Sequence, residues 1–239
     1  MKLSQKDWNN YIDRMSAISK KAAQEMYNFM VKHGVEDVQA IIDYAYGLVT
    51  KYGEGSAELA CQMYDAIAEL QKMNLPSAIP AETMTYDETA KAVQGCLKQS
   101  KSGQLLPGTV FRMVKQAGAD TTMQNAARDR GQFAWVPSGD TCVFCLVLAS
   151  RGWQNISKKG AKKHAEHIHA NCDCNYVVRF KTDMTVEGYN PQDYLDKYNS
   201  YDGKPKDKIN AMRREQYAKN KDEINEKKRI AYNTRKEDV

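Results

Sequence analysis

The stretch SQKDWNNYIDRMSAISKKAAQEMYNFMVKHG, residues 4–34, predicts a long amphipathic helix and sets the helical character of the chain. Ser4 to Asp7 resembles a capping box, and Gly34 is a typical residue just beyond a helix C-terminus. The apolar residues between them recur at intervals of three and four, which places them on one face. These residues are Trp8, Tyr11, Ile12, Met15, Ile18, Ala22, Met26, Phe29 and Met30.

The chain continues in the same style to about residue 130, so we expect a helical domain over residues 1–130. Its later segments are separated by residues that break helices or begin them. The predicted segments are a helix over about 36–51, a break at Gly53-Glu54-Gly55, a helix capped by Ser56, a connector at Pro76 and Pro80, a helix opened by the capping box Thr85–Glu88, and two short helices near 109–117 and 120–130.

The sequence changes in character at Gly131. Residues 133–136 and 176–180 are rich in aromatic and β-branched side chains, which is typical of strands. We therefore predict a small α+β module over residues 131–182. A basic helical arm is predicted over 183–239, where Pro191 starts a short helix and Pro205 precedes a last one.

The whole chain carries a net charge of +5, and the excess lies at its C-terminus. Residues 203–239 contain 12 Lys/Arg and 7 Asp/Glu, a net of 12 − 7 = +5. Such an arm suits an acidic partner such as nucleic acid, although a solvated helix of mixed charge explains it equally well.

The N-terminus, Met1–Asp7, lacks the apolar core of a signal peptide, and no run of about 18 apolar residues predicts a membrane span. We therefore expect a protein that is made and kept in a reducing cytosol and has no membrane partner. Six cysteines in such a chain indicate metal binding or burial rather than disulfides.

Four of the six cysteines lie close together in the predicted module, beside a histidine. Two short ligand pairs across a folded insertion are the usual layout of a zinc site, and thiolate with imidazole favours Zn²⁺ over hard cations. The candidate ligands are Cys142, Cys145, His169, Cys172 and Cys174. The first choices are Cys142, Cys145 and Cys172, while His169 and Cys174 compete for the fourth position. A closed site with four protein ligands indicates a structural rather than a catalytic zinc.

Other interpretations of this region remain open. The cysteines could be buried apolar fillers, or Cys142 and Cys145 a redox dithiol. A nucleobase deaminase would use His164-Ala165-Glu166 with the C-x-x-C, but here the two motifs stand in the reverse of the usual order. A metal-dependent nuclease could use His164, His167 or His169. Ordinary surface positions on a basic helix are the favoured interpretation of His164 and His167.

Basic residues near Trp153 form a candidate nucleic-acid surface, since phosphate contacts come mainly from lysine and arginine. The alternative is a solvated charged insertion. The candidate residues are Lys158, Lys159, Lys162 and Lys163 in the insertion and Arg213 and Arg214 in the arm.

The module resembles the minor head proteins of tailed bacteriophages, namely the phage Mu F-like group and its relatives. Their pattern is a tryptophan, D-x-x-C-x-x-C, a glycine and an H-P-N-C-R-C-like block. The matching residues are Trp135, Asp140, Cys142, Cys145, Gly152, His169, Asn171, Cys172 and Cys174. Here the spacing from Asp140 to Cys142 is one residue shorter, Ala170 replaces the usual proline and Asp173 the usual arginine.

The resemblance covers about residues 131–182 and implies a virion component in the capsid interior or at the portal vertex, which we expect to be non-enzymatic. Such a protein would act in head assembly or in DNA packaging and delivery. Its partners would be the portal or the major capsid protein, with packaged double-stranded DNA as a further, non-specific partner. The rival predictions are a metal-dependent nuclease or nucleobase-modifying enzyme and a zinc-containing DNA-binding protein.

Overall fold

A computed structural model describes residues 1–137, 141–156, 164–165, 168 and 174–201. Helices account for 63% of these residues, which confirms the predicted mainly α fold. Residues Met1–Leu195 form one compact unit and Asp196–Val239 a second. The domain limits expected at residues 130 and 182 stay predictions. The helix expected after Pro205 lies outside the described residues.

The first helix, α1 (Gln5–His33), follows the sequence closely. The Ser4 hydroxyl accepts a hydrogen bond from the Asp7 amide at 3.1 Å and so satisfies a free N–H of the first turn. Gly34 ends the helix at a positive φ of 75°, and its amide donates to the Met30 carbonyl at 2.8 Å. Most of the predicted apolar face is buried, from Trp8 to Met26.

The second helix, α2 (Val38–Leu70), is continuous, so the predicted break at Gly53-Glu54-Gly55 is wrong. The apolar stripe runs through the glycines without losing phase, because Val49, Tyr52 and Ser56 are all buried. Burial of this face outweighs the helix-breaking tendency of glycine. At Gly53 an added Cβ would lie 2.7 Å from Thr83 Cγ2, so the glycine allows close packing and is no break.

The two short helices predicted near 109–117 and 120–130 are also one helix, α4 (Leu106–Arg128). Gly118, at the predicted gap, lies where α4 meets α1 and α2. A Cβ there would lie 2.8 Å from Met15 Cε, 2.7 Å from Ser56 Oγ and 3.1 Å from the Ser56 carbonyl oxygen. The glycine therefore lets three helices approach closely. Together, α1, α2 and α4 form the centre of the Met1–Leu195 unit.

Between α2 and α4 lie an extended connector and α3 (Tyr86–Gln99). The predicted capping box is present, since the Thr85 hydroxyl accepts from the Glu88 amide and the Glu88 carboxylate accepts from the Thr85 amide. Asn125 of α4 holds the connector by hydrogen bonds to both the amide and the carbonyl of Ile79. The predicted connector and helix start are thus confirmed.

The strands are short. A three-stranded antiparallel sheet has the order β3 (Gln154–Asn155), β2 (Gln132–Val136), β4 (Asn175–Arg179). A parallel pair joins β1 (Lys2–Leu3) to β5 (Thr185–Val186). The two remaining helices are α5 (Val143–Ala149) and α6 (Pro191–Ser200). Both predicted strands and the helix starting at Pro191 are therefore confirmed, with the second strand one residue earlier than expected.

Successive side chains along β2 and β4 point to opposite sides, so the sheet has two different faces. Ala134, Val136 and Val177 belong to the apolar cluster that contains residues of α1 and α2. Trp135 and Tyr176, which pair across the strands, belong to a separate cluster. This second face carries the predicted site. In the described part of the chain, no helix is long and apolar enough to cross a bilayer.

Candidate metal centre

The C-x-x-C motif lies at the start of α5. Cys142 is the N-cap residue of this helix, and Cys145 is in its first turn. The two side chains differ in exposure, since Cys142 is exposed whereas Cys145 is fully buried. One helix turn thus presents one thiol to the surface and the other to the interior.

Cys174 lies directly before β4 and is 2% exposed. It belongs to the same buried cluster as Cys145, together with Trp135, Tyr176 and Ile168. The fold therefore brings cysteines from opposite ends of the insertion into one core. The indole ring of Trp135 packs edge-on against Tyr176, with ring centroids 4.6 Å apart.

The chemistry of this cluster suits thiolate ligands. Lys115 of α4 is 2% exposed, and its Nζ donates to the Cys174 carbonyl oxygen at 2.5 Å. The buried indole N–H of Trp135 has no hydrogen-bond partner among the described residues. The Lys115 Nζ and the Trp135 indole N–H are donors beside two buried cysteines, and such donors stabilise negative charge on thiolate ligands. The surroundings of Cys145 and Cys174 are thus compatible with a zinc–thiolate site.

The next polar residues along α4 anchor the insertion. The Gln116 amide donates to the Ala165 carbonyl at 2.8 Å, and Asp120 accepts from the Ala165 amide. With Lys115, three positions on one helix thus hold the backbone at residues 165 and 174. The start of β4 and the backbone at Ala165 are therefore held from the helical core.

His164 lies between two carboxylates. Its Nδ1 is 2.5 Å from Asp120 Oδ2, and its Nε2 is 3.1 Å from Glu88 Oε1. Partial burial alone would lower the pKa of His164, but the hydrogen bonds and charges of Asp120 and Glu88 outweigh it and raise the pKa. The pKa of Glu88 falls to about 2, chiefly because its carboxylate accepts hydrogen bonds from Thr85. The favoured prediction of an ordinary surface position for His164 is incomplete, since this ring connects α3 and α4 to the insertion.

Several predicted site residues lie outside the described residues. They are His169 and Cys172 among the metal ligands, Lys158, Lys159, Lys162, Lys163, Arg213 and Arg214 among the nucleic-acid contacts, Glu166 and His167 among the catalytic alternatives, and Asp140 and Asn171 in the motif. Within the ranges that the structure covers, no group of three or more His, Cys, Asp or Glu side chains is placed to hold a metal ion. Cys142, Cys145 and Cys174 are therefore not a complete site by themselves.

Trp153, predicted to accompany the basic loop, has a role in the fold. The guanidinium of Arg179 on β4 lies 4.6 Å above its ring, and the Tyr189 ring packs edge-on against it. Its ring is partly buried against the core that contains α1 and α2. These contacts cover much of the Trp153 ring surface on which a nucleobase could stack.

Lys115, Gln116 and Asp120 were not predicted from the sequence. The sequence signal that could have indicated them is the distribution of small and apolar residues, which lie on all sides of α4. A helix of that kind is buried on every face, so its polar residues must have partners inside the protein. That rule would have identified Lys115 and Gln116 as buried, although it could not have identified their partners.

Fold and site together define a class, namely a mainly helical protein with a small cysteine-bearing sheet module attached to its core. Residues 2–201 match the family described as VG15 protein. The chain belongs to this family, and the match places it among viral gene products. No curated protein and no solved structure gives a significant match.

Proposed function

We propose that the protein is a minor capsid protein of a tailed bacteriophage, with a structural zinc site, located near the portal. It acts in head assembly or in DNA packaging and delivery. The membership in a family of viral gene products and the motif around Cys142 and Cys145 support this proposal. The observation that carries it is the burial of Cys145 and Cys174 in one cluster, which is what a shared metal would require.

In the proposed zinc site, Cys142, Cys145, Cys172 and Cys174 are the ligands. The burial of Cys174 beside Cys145 supports Cys174 over His169 for the fourth position. Zinc would supply a cross-link between α5 and the start of β4 that depends on no large apolar core. Four protein ligands leave no open position for water, so the role of this site is structural.

The geometry around His164 supports a non-enzymatic role. A general base or metal ligand needs a ring nitrogen that can reach the substrate or the metal. Here Asp120 and Glu88 engage the two ring nitrogens. As a portal-proximal component the protein would contact the portal or the major capsid protein, and its basic arm would face packaged DNA through non-specific phosphate contacts.

The test is quantitative mass spectrometry of purified wild-type phage heads, followed by cryo-EM of the portal vertex. We expect a few copies of the chain per head, retained after salt washes and located beside the portal. A phage with a stop codon early in this gene should produce heads with defective DNA content or delivery. Absence of the chain from wild-type heads would overturn the proposal.

A separate assay addresses the enzymatic alternative. Purified protein is incubated with duplex and single-stranded DNA in the presence of Zn²⁺, Mg²⁺ or Mn²⁺, alongside the double variant His164→Ala, Glu166→Ala. We expect no turnover from either protein. Activity that is present in the wild type and lost in the double variant would contradict a structural role.

A further inference from the structure

The C-terminal half of α1 carries apolar side chains that face solvent. Val31 is 69% exposed, more than any other large apolar residue in the part of the chain that the structure describes. Tyr27, one turn earlier on the same side of the helix, is 52% exposed. Isolated exposed apolar residues are ordinary on protein surfaces, but a neighbouring pair beside a groove indicates an interaction site.

The groove beside this pair lies between the end of α1 and the turn that joins α3 to α4. Its volume is about 430 Å³, with Val31 on one side and Pro107 on the other. The turn packs directly on the end of α1, since a Cβ added at Gly103 would lie 2.9 Å from Val35 Cγ1 and 3.0 Å from Met30 Cε. The groove therefore has a fixed, largely apolar wall on each side.

Charges of opposite sign lie before and after the exposed pair. Lys21 lies earlier on α1 and has no hydrogen bond or ion pair within the described ranges. Glu36 follows α1 and lines the groove. Its carboxylate accepts a hydrogen bond from the Val35 amide at 3.0 Å, and no described cation pairs with it. Both charges are thus available to a partner.

The order of these charges selects the partner. When two identical helices pack antiparallel about a two-fold axis, residues before the axis in one copy meet residues after it in the other. With the axis midway between Tyr27 and Val31, Lys21 of each copy lies near Glu36 of the other. The surface is therefore complementary to itself in charge as well as apolar at its centre.

We propose that two copies of this chain associate through this surface, with their α1 helices antiparallel. Tyr27 of each copy packs on Val31 of the other, and the groove accommodates apolar side chains at the edge of the contact. The contact covers only a few helical turns, so the dissociation constant should be on the order of 10 μM. The inference depends neither on the zinc site nor on the proposed function.

The test is sedimentation velocity of the full chain over about 1 to 300 μM, a range that brackets the expected constant. A reductant is included because Cys142 is exposed and could form disulfides between copies. We expect the mean mass of the wild type to rise from monomer to dimer with concentration. A wild type that stays monomeric throughout would overturn the proposal and leave the surface to a different protein.

Val31→Glu is the decisive variant, because it places two carboxylates side by side at the axis. It should weaken dimerisation at least about 10-fold. Because Val31 is exposed, the far-UV circular dichroism should not change. If this variant fails to fold, Tyr27→Glu takes its place. A dimer of the folded variant as stable as that of the wild type would show that another surface is used.

Ile79→Glu is the matched control. Ile79 is 59% exposed and acquires the same charge, so any effect of net charge on association is equal in the two variants. Its backbone is bound to Asn125, which lies 18 residues, or about 27 Å, along α4 from Pro107 at the groove. The control should dimerise like the wild type. Equal losses in both variants would contradict the proposed surface.

A charge exchange tests the antiparallel arrangement. Lys21→Glu and Glu36→Lys should each weaken the dimer about 3- to 10-fold, because each creates two repulsive pairs across the axis. The double variant Lys21→Glu, Glu36→Lys restores opposite charges and should recover most of the affinity. A double variant that is as weak as the sum of its parts would overturn this arrangement.

Discussion

The crossing of α1, α2 and α4 and the cluster around Cys145 and Cys174 are both buried, but they are built differently. At the crossing, Gly118 brings three helices close together, and the surrounding cores consist largely of apolar side chains. The cysteine cluster is smaller and borders a buried lysine. The first region consists of closely packed helices, whereas the second also contains the Lys115 Nζ, which donates to the Cys174 carbonyl, and the buried indole N–H of Trp135.

This difference indicates which of the two regions would gain more stability from a metal cross-link. A small core supplies little hydrophobic free energy, and buried polar groups reduce it further. The sheet of β2, β3 and β4 obtains support from α1 and α2 on one face only. The other face packs against residues of α4 and α5, and a metal that joins Cys145 to Cys174 would add to that packing.

The largest expected effect is that of metal removal. Chelation, or the variant Cys145→Ser, should destabilise the module by about 4 kcal/mol relative to protein with zinc at a thousand times its dissociation constant. Far-UV circular dichroism should retain most of its helical signal, because α1, α2 and α4 pack without the cluster. The measurements are thermal unfolding with and without chelator and zinc content per chain.

Cys61→Ser is the control for that comparison. Cys61 is also buried, but it lies on α2, and burial, reinforced by the nearby Glu58 and Asp65, raises the pKa of its thiol to about 11. It should therefore stay a protonated thiol at neutral pH. We expect full zinc content in Cys61→Ser. If chelator leaves the melting temperature of the wild type unchanged, the cysteine cluster needs no metal. The two regions then do not differ in this respect.

The next effect in size concerns the helix crossing. Gly118→Ala should lower the free energy of unfolding by about 1–2 kcal/mol, because its Cβ meets Met15, the Ser56 hydroxyl and the Ser56 carbonyl at once, and this overpacking exceeds the gain in helix propensity. Gly55→Ala is the matched control. Position 55 is exposed on α2 with no atom within 4 Å of an added Cβ.

Gly55→Ala should raise the free energy of unfolding by about 0.5–1 kcal/mol, since alanine restricts the unfolded chain and favours the helix. Urea unfolding of both variants at neutral pH measures whether each substitution lowers or raises the free energy of unfolding. If both substitutions change the free energy of unfolding in the same direction, Gly118 is not the close contact on which the helical core depends.

The same two regions show what the sequence could predict. Helix starts at Ser4 and Thr85 and the end at Gly34 were predictable because a cap depends on residues that are adjacent in sequence. The breaks at Gly53 and near Gly118 were wrong because a glycine that ends a helix and a glycine that admits a neighbouring helix look alike in sequence. At Gly53 the uninterrupted phase of the apolar stripe on α2 distinguishes them, whereas α4 has small and apolar residues on all sides and offers no such stripe.

At the candidate site the sequence could indicate the cysteines as candidate ligands, because the C-x-x-C spacing is local. It could not identify Lys115, Gln116 and Asp120, since their partners at Cys174 and Ala165 are distant in sequence. Hydrogen bonds of this kind are fixed by the path of the chain. Residue types alone do not specify that path.

The smallest expected effect is the pH dependence of the His164 contact, which joins the two regions. Because the folded protein raises the pKa of this histidine above its ordinary value of 6.5, its contribution is fully present below about pH 6.5 and is lost as pH rises through the folded value. The ring is 43% exposed, so screening keeps the contribution below about 1 kcal/mol. The free energies of unfolding in urea of zinc-saturated wild type and His164→Gln should therefore differ more at pH 5.5 than at pH 9.

Glu88 does not affect the comparison, because its pKa of about 2 keeps it ionised at both pH values. His33→Gln, at the exposed end of α1, controls for the loss of an imidazole elsewhere. A difference that is unchanged between the two pH values would show that neutral hydrogen bonds hold His164, and that the helical core and the insertion are not joined through charge.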